Sequence, residues 1–307
     1  MRPNWIRQNV LPVLAALIWG TAFVFQSVGA DYVGPFTFNA ARSAVAFLFL
    51  LVLCAALRLM RRKSGAGENE KSTPAYRRNL LLGGVCCGVA LTVAANLQQK
   101  GIESTSPGKA GFITALYIVI VPIMGLFLKK KAPRSIWLGI VLAVAGLYCL
   151  CITEEFTIAA GDFYILLCAF CFAGHILVID HFTQKVDGVE MSCIQFLVAA
   201  VLSAVGMLVS EAPTWEAIRV CAWPILYVGV FSSGVAYTLQ IVAQKDSNPT
   251  VVSLLLSLES VFATIAGAIA FGNQMSGKEY LGCVLMLAAV VLAQLPEKKR
   301  LEDQPER

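Results

Sequence analysis

The sequence predicts an all-α polytopic membrane protein: ten transmembrane helices arranged as two inverted five-helix repeats. Three observations carry that expectation. Of 307 residues, 58% are hydrophobic and only 14% charged, where a soluble domain carries about 25% charged residues. The apolar residues fall into ten runs of roughly membrane-spanning length. The second half of the chain also echoes the first, with five runs in each half.

Length alone would admit two soluble domains of about 150 residues. A charge-poor chain with a mean hydropathy of +0.72 has no water-soluble way to cover its apolar surface, so lipid is its expected solvent. The cysteines agree. Of ten, all but Cys221 lie inside apolar runs, whereas disulfide frameworks place cysteines in the loops of small secreted domains. Here cysteine behaves as a small hydrophobe. Cys168-x-x-Cys171 has no second pair to complete a metal site and reads as helix packing.

The N-terminus raises the question of a signal peptide. Arg2 and Arg7 precede an apolar run, and Val28-Gly29-Ala30 loosely resembles a cleavage site. Gln8–Ala30 is free of charge over 23 residues, longer than a signal's apolar core, so an uncleaved first helix is expected. Crossing ~30 Å of hydrocarbon takes about 20 helical residues. The expected spans are 9–28, 38–57, 80–98, 108–128, 135–152, 162–181, 191–210, 222–244, 250–271 and 278–295. The one long loop, 58–79, has a small, polar middle from Ser64 to Ser72 and reads as a linker. The charged tail, 296–307, reads as frayed.

Orientation follows from Lys and Arg, which collect in cytoplasmic loops. With ten spans and a cytoplasmic N-terminus, only Arg42, Lys100, Lys109, Arg219 and Lys278 fall outside, and 19 of the 24 basic residues fall inside. Dropping one early helix would scramble that split. The expectation is a multi-pass protein of the cytoplasmic membrane with both termini cytoplasmic.

The repeat is weak but ordered. Pro107 and Pro249 each open a helix. Leu138-Gly139 and Leu281-Gly282 open the next, 32 residues after the first proline and 33 after the second. Gln99-Lys100 and Gln244-Lys245 end the helix before. Because five is odd, the second copy inserts upside down, an architecture of many secondary transporters, with the substrate site near the midplane. The expected units are 1–152 and 153–295.

Leu17-Ile18-Trp19-Gly20-Thr21, Ser257-Leu258-Glu259-Ser260-Val261-Phe262-Ala263 and the Leu-Gly-x-Val-Leu helix starts resemble EamA-type transporters of the drug/metabolite transporter superfamily. The resemblance covers essentially the whole chain, as two repeats of about 150 residues. It implies ten helices around a central cavity, alternating access, and substrates such as amino acids, other metabolites or toxic compounds, often exported. Two departures stand out. Ser260 replaces the proline that usually follows the ninth-helix glutamate, which puts the expected kink in question. Asn273 follows Gly272 where many members carry glutamate.

Glu259 is the single acidic residue of 250–271 and lies about 13 Å into its helix at 1.5 Å per residue. A charge at that depth costs several kcal/mol, so such residues face the bundle interior and are functional by default. The competing reading is a hydrogen-bonded helix clamp. Lys109 either snorkels to the interface or meets a substrate or carboxylate, and Arg42 is read as interfacial. His175, in mid-helix, is a packing residue or a proton relay. Asp180 and His181 are expected at the interface. Trp19, Tyr117 and Tyr237 present polar handles at membrane depth. Gln98 and Gln240 serve as helix glue or cavity lining. The candidate set for substrate or coupling ion is Glu259, Trp19, Lys109, Tyr117, His175, Gln98 and Tyr237.

Enzyme readings lack their motifs. No His-Glu-x-x-His occurs, nor Gly-x-Ser-x-Gly, nor clustered intramembrane aspartates. A filter loop or charge ring for a channel is likewise not evident. The expected function is a secondary active transporter that moves a small metabolite, amino acid or toxic compound by alternating access, as an exporter. A channel or a non-transporting structural membrane protein is the alternative. Expected partners are the small-molecule substrate, the lipid bilayer and protons as coupling ion, with a homodimer left open. Neither a cofactor nor a nucleic-acid partner is expected.

Overall fold

Proline and short polar side chains set most of the helix starts. The computed structural model describes residues 5–63, 73–129, 134–151, 160–245, 247–272 and 274–294. Within them the helical segments are α1 (Ile6–Ala30), α2 (Pro35–Lys63), α3 (Pro74–Ile102), α4 (Pro107–Phe127), α5 (Arg134–Cys151), α6 (Ala160–Thr183), α7 (Gly188–Ser210), α8 (Ala222–Gln244), α9 (Pro249–Phe271) and α10 (Gly277–Gln294). A six-residue helix, Trp215–Val220, precedes α8. Pro74, Pro107 and Pro249 occupy first turns, where a missing N–H costs nothing. Thr73, Ser106, Asp187 and Asn248 cap their helices by accepting backbone N–H groups. Ser276 and Glu279 close a reciprocal box at the start of α10. Gly272, at φ +68°, ends α9 in the left-handed region that suits glycine.

Eight of these, α1 to α4 and α6 to α9, are long and apolar enough to cross a membrane. The fifth and tenth expected spans are helices too, but α5 and α10 have 18 residues each. At 1.5 Å per residue that is about 27 Å, slightly short of a ~30 Å core. The two lie along one another, and Gly146 and Gly282 let their backbones touch: a β-carbon on either would come within 3 Å of the other's carbonyl oxygen. The linker segment 64–72, the junction at 152–159 and the tail 296–307 lie outside the described residues.

The most extensive packings join a helix of the first five to one of the last five: α5 with α10, α3 with α6, α2 with α7, α3 with α7 and α1 with α9. Small residues permit this closeness, as they do generally between membrane helices. A β-carbon on Gly88 of α3 would lie 2.6 Å from Val198 Cβ of α7. Gly88→Leu should therefore push α3 off α7 and cost roughly 1–3 kcal/mol. The check is a thermal unfolding midpoint in detergent several degrees below wild type; an unchanged midpoint counts against this packing.

Apart from the π-helical start of α1 at Ile6–Val10, three irregularities interrupt the interiors of the long helices. In α4 the regular ladder breaks at Leu116, and in α9 it breaks at Ser257 and Leu258. Leu116 and Leu258 share the same backbone angles, φ −58° and ψ −13°, and each lies nine residues after its helix-opening proline. In α9 no proline is responsible. Instead Ser253, Ser257 and Ser260 each donate a hydroxyl to the carbonyl three residues back, at 2.9, 2.7 and 2.8 Å. Such back-bonding bends helices. The ladder is thus interrupted at this point without the proline that Ser260 replaces. The third irregularity is the π-helical stretch Val228–Ala236 in α8, rich in Gly and Ser.

Candidate functional site

All three irregularities border one cavity in the middle of the bundle. It is about 30 Å3 in volume for water-sized molecules, enough for about two waters on the scale of one per ~10–15 Å3. The residue after each helix break faces it: Tyr117 in α4 and Glu259 in α9. The π-helical stretch contributes Ser232, whose carbonyl accepts from Trp19 Nε1 at 3.3 Å. Trp19 in turn packs on Tyr237, with ring centroids 4.7 Å apart, and His175 meets the edge of Tyr237 at 5.9 Å.

Polar contacts are deliberate but incomplete, which is unusual for buried groups. His175, 1% exposed, hydrogen-bonds Gln195 Oε1 through Nε2 at 2.8 Å, while its Nδ1 has no partner. Gln98 Nε2 donates to Thr114 Oγ1 at 3.1 Å. Glu259 is 4% exposed, and its Oε1 is buried with no hydrogen bond. The Tyr117 hydroxyl lies beside that carboxyl without the alignment of a hydrogen bond.

The candidate set divides cleanly. Glu259, Trp19, Tyr117, His175, Gln98 and Tyr237 all line this cavity. Lys109 does not. Its Nζ is 2.5 Å from Asp162 Oδ2 at the start of α6, and Thr105 donates to the other oxygen of Asp162 at 3.0 Å. Asp180, expected at the interface, is buried, whereas His181 is exposed and contacts Lys185. Cys168 is a buried free thiol near Thr114. Among the described residues no three of His, Cys, Asp and Glu converge on a point that could hold a metal.

Several polar cavity residues escaped the candidate set on sequence grounds, among them Arg42, Gln26 and Gln240. Arg42, read as interfacial, is 4% exposed and faces the cavity, with Nη1 donating to Gln26 Oε1 at 3.2 Å. Gln26 lines it as well, and its backbone carbonyl accepts from Gln99 Nε2 at 2.9 Å. A sequence signal existed for a third. Gln98 and Gln240 each precede the last residue of their helix by four positions, and both line the cavity.

Both ends of the bundle are tied by polar contacts. At one end, the Glu211 carboxylate at the close of α7 accepts from Phe36 N, Thr37 N and Thr37 Oγ1 at the start of α2, at 2.9, 2.8 and 2.6 Å. At the opposite end, Tyr76 of α3 donates to Glu190 of α7 at 2.9 Å, and Arg7 of α1 donates to the Val242 carbonyl of α8 at 2.6 Å.

Comparison with known proteins agrees with this architecture. The sequence profile of the EamA-like transporter family matches residues 8–152 and again 159–295. A protein named an uncharacterized transporter from Archaeoglobus fulgidus is 28% identical over 283 residues, covering 92% of this chain and 84% of its own. The uncharacterized transporter YwfM of Bacillus subtilis is 24% identical, covering 96% of each chain. A solved crystal structure superposes with a TM-score of 0.75 over 94% of this chain and 96% of its own. At 17% identity that likeness concerns the fold alone. Its membrane-spanning helices and transporter relatives make the protein a multi-pass membrane transporter that handles a small molecule within a lipid bilayer, and the chain belongs to the EamA-like transporter family.

Proposed function

We propose that the chain is a secondary active transporter that moves a small metabolite, an amino acid or a toxic compound by alternating access, with Glu259 at the centre of its site. The observation that carries this reading is the Glu259 carboxyl. It is buried near mid-helix in a polar and aromatic cavity, with one oxygen unsatisfied. A carboxyl so placed can take a proton or a substrate amine in one state and release it in the other, which is the differential binding that coupling requires. Trp19, Tyr117, His175, Gln98 and Tyr237 shape the remainder of the site.

In this reading the chain makes ten spans as two inverted five-helix repeats, 1–152 and 153–295, followed by a cytoplasmic tail, 296–307. Both termini are cytoplasmic, the membrane is the cytoplasmic one, protons drive transport, and export is the direction the family resemblance favours. Support for the repeat comes from the matched breaks at Leu116 and Leu258, each followed by a cavity residue. The close interleaving of the two halves makes a clean parting between them costly. Bending at those breaks and at the π-helical stretch of α8 is the easier route to opening, since irregular segments are where long helices yield.

Purified protein in liposomes loaded with a bacterial metabolite extract tests the reading. Protein-dependent loss of specific compounds is followed by mass spectrometry. Cysteines replacing Lys109 and Asp162 in a background without other cysteines, joined by a short bis-methanethiosulfonate reagent that forms a disulfide to each thiol, should pin that end shut and stop efflux until reduction. Unchanged efflux with the crosslink complete, or no protein-dependent efflux at all, sinks the proposal.

A further inference from the structure

α2 and α7 are tied at both ends, and two thiols meet between the ties. Glu211, at the close of α7, accepts from Phe36 and Thr37 at the start of α2. At the other end Arg58 of α2 lies 3.5 Å from Glu190 in the first turn of α7. The helices therefore run antiparallel, and counting inward from either tie brings Cys54 opposite Cys193. Cys54 is 17 residues from Thr37 and Cys193 is 18 from Glu211; Cys54 is 4 from Arg58 and Cys193 is 3 from Glu190. The side chains agree with the count. Cys54 Sγ donates to the Val189 carbonyl at 3.8 Å, one turn before Cys193, and helical side chains lean over the turn N-terminal to them. The two thiols accordingly sit within reach of one another.

Both thiols are free and buried, each residue 8% exposed. Their surroundings are not purely apolar. Cys193 lies five residues beyond Gly188, the first residue of α7, which is about 8 Å along the axis at 1.5 Å per residue. Arg58 and Glu190 flank the pair one turn away, and Arg58 is largely exposed. Reactive cysteines sit beside basic groups at partly exposed positions. Tyr76 extends the cluster to α3 by donating to Glu190 and accepting the Asp187 N–H. Cys86 with Cys87, and Cys168 with Cys171, each share a single helix, where a bond between them would join no two elements. Cys54 and Cys193 stand on helices from the two halves of the chain.

We propose that Cys54 and Cys193 form a redox modification site, a dithiol that a peroxide converts into a disulfide fastening α2 to α7. One sulfur, as the thiolate, attacks an oxygen of the peroxide. An S–O bond forms, the O–O bond breaks, and the departing hydroxide takes up the thiol's proton and leaves as water. The second sulfur then attacks the sulfenic acid. An S–S bond forms, the S–O bond breaks, and the hydroxyl leaves with the second thiol's proton as another water. Two thiols lose two electrons, and hydrogen peroxide becomes two waters. A reducing dithiol reverses the bond by exchange. A disulfide spans about 4.4–6.8 Å between α-carbons, a separation that closely packed helices reach, and α2 with α7 is among the most extensive packings of the bundle.

The site stands on this geometry; its effect on transport rests on the transporter reading above. Arg42 of α2 lines the central cavity, so α2 is one of its walls. Opening the cavity towards the Arg58 end requires α2 to leave α7 there. The reduced protein holds that end with the partly exposed Arg58–Glu190 pair, a kind of contact that contributes little, and with the Tyr76 hydroxyl. A disulfide adds a covalent tie one turn deeper. Oxidation thus stops the cycle, while the Glu211 end stays free to open.

The experiment treats purified full-length wild-type protein with hydrogen peroxide, blocks remaining thiols with N-ethylmaleimide, and reads unreduced peptides by mass spectrometry. A peptide pair linked through Cys54 and Cys193 should appear in most molecules and vanish with dithiothreitol. The unfolding midpoint should rise by several degrees with the link, because the cross-link restricts the unfolded chain. In liposomes loaded with metabolite extract, efflux should fall at least tenfold after peroxide and recover with dithiothreitol, which does not reverse methionine oxidation. Cys54→Ser and Cys193→Ser should each make efflux insensitive to peroxide. The linked peptide is measured on wild-type protein, so a folding defect in a variant does not mask the answer. Failure to find the linked peptide, or full efflux from protein in which the link is complete, overturns the proposal. Peroxide inhibition that persists in either serine variant does the same. If no efflux occurs at all, the transporter reading fails, and the linked peptide and the midpoint still decide the modification site.

Discussion

Glu259→Gln should reduce transport by about 30-fold or more, the loss expected when a buried charged group that meets a ligand charge in the site is truncated. Glutamine keeps the size and hydrogen-bonding capacity of the side chain and removes both its charge and its titration. The bend in α9 should survive, because it is built by Ser253, Ser257 and Ser260 and not by the carboxyl. The effect therefore reports on the site and not on the fold, and an unchanged unfolding midpoint without ligand is part of the expected result. Two roles for the carboxyl separate by readout. If Glu259 only carries the coupling proton, the variant loses accumulation driven by a proton gradient while substrate exchange across the membrane continues. If it holds a substrate amine, exchange and ligand-induced stabilisation disappear together. Normal transport by Glu259→Gln across the physiological pH range would reduce the residue to a structural clamp.

The second large effect is expected at Glu211. Its carboxylate accepts three hydrogen bonds from the first turn of α2, where backbone N–H groups are otherwise unsatisfied and the helix dipole favours a negative charge. The contact joins residues 174 and 175 positions apart and ties the end of α7 to the start of α2. The same end holds the Lys109–Asp162 pair. Charge-assisted bonds to a part-exposed carboxylate are discounted for solvent, which leaves about 2 kcal/mol for the set. Glu211→Ala should therefore shift the balance between closed and open forms of this end about 30-fold towards open. A cysteine at Ser232, in a background without other cysteines, gives the readout. Its labelling by a membrane-impermeant thiol reagent added from the Glu211 side should accelerate by about that factor in Glu211→Ala. An unchanged labelling rate removes Glu211 from the gate and leaves it a helix cap.

Much of the fold was legible in the sequence because hydrocarbon imposes simple rules. Lipid cannot satisfy backbone polar groups, so charge-free runs of about 20 residues must be helices. Eight of the expected spans appear as helices long and apolar enough to cross a membrane, and the described parts of the fifth and tenth are shorter helices of 18 residues. Prolines 74, 107 and 249 marked three starts for the reason that a first-turn N–H has no partner to lose. Glu259 was legible as a site candidate by the same logic, because a lone carboxylate in an apolar run has no inexpensive location except the interior. Trp19, Tyr117, His175, Gln98 and Tyr237 reach the cavity as polar groups that a lipid-facing surface would penalise.

What the sequence could not determine is which way a helix faces and which distant group it meets. Helices that are apolar all round carry little directional signal, so Arg42 reads from position alone as an interfacial residue when in fact it points inward at Gln26. Lys109 reads as a possible partner of Glu259, yet Asp162 on α6 reaches it first, and nothing in the local spacing of either residue announces that pair. The break in the ladder at Leu258 occurs without a proline, where three serine hydroxyls bond the carbonyls of the preceding turn. The sequence by itself determined depth, through hydropathy and charge. Azimuth, partner choice and the meeting of Arg42, Tyr237 and Glu259 around one cavity were decided by tertiary packing, because each depends on the close approach of different helices.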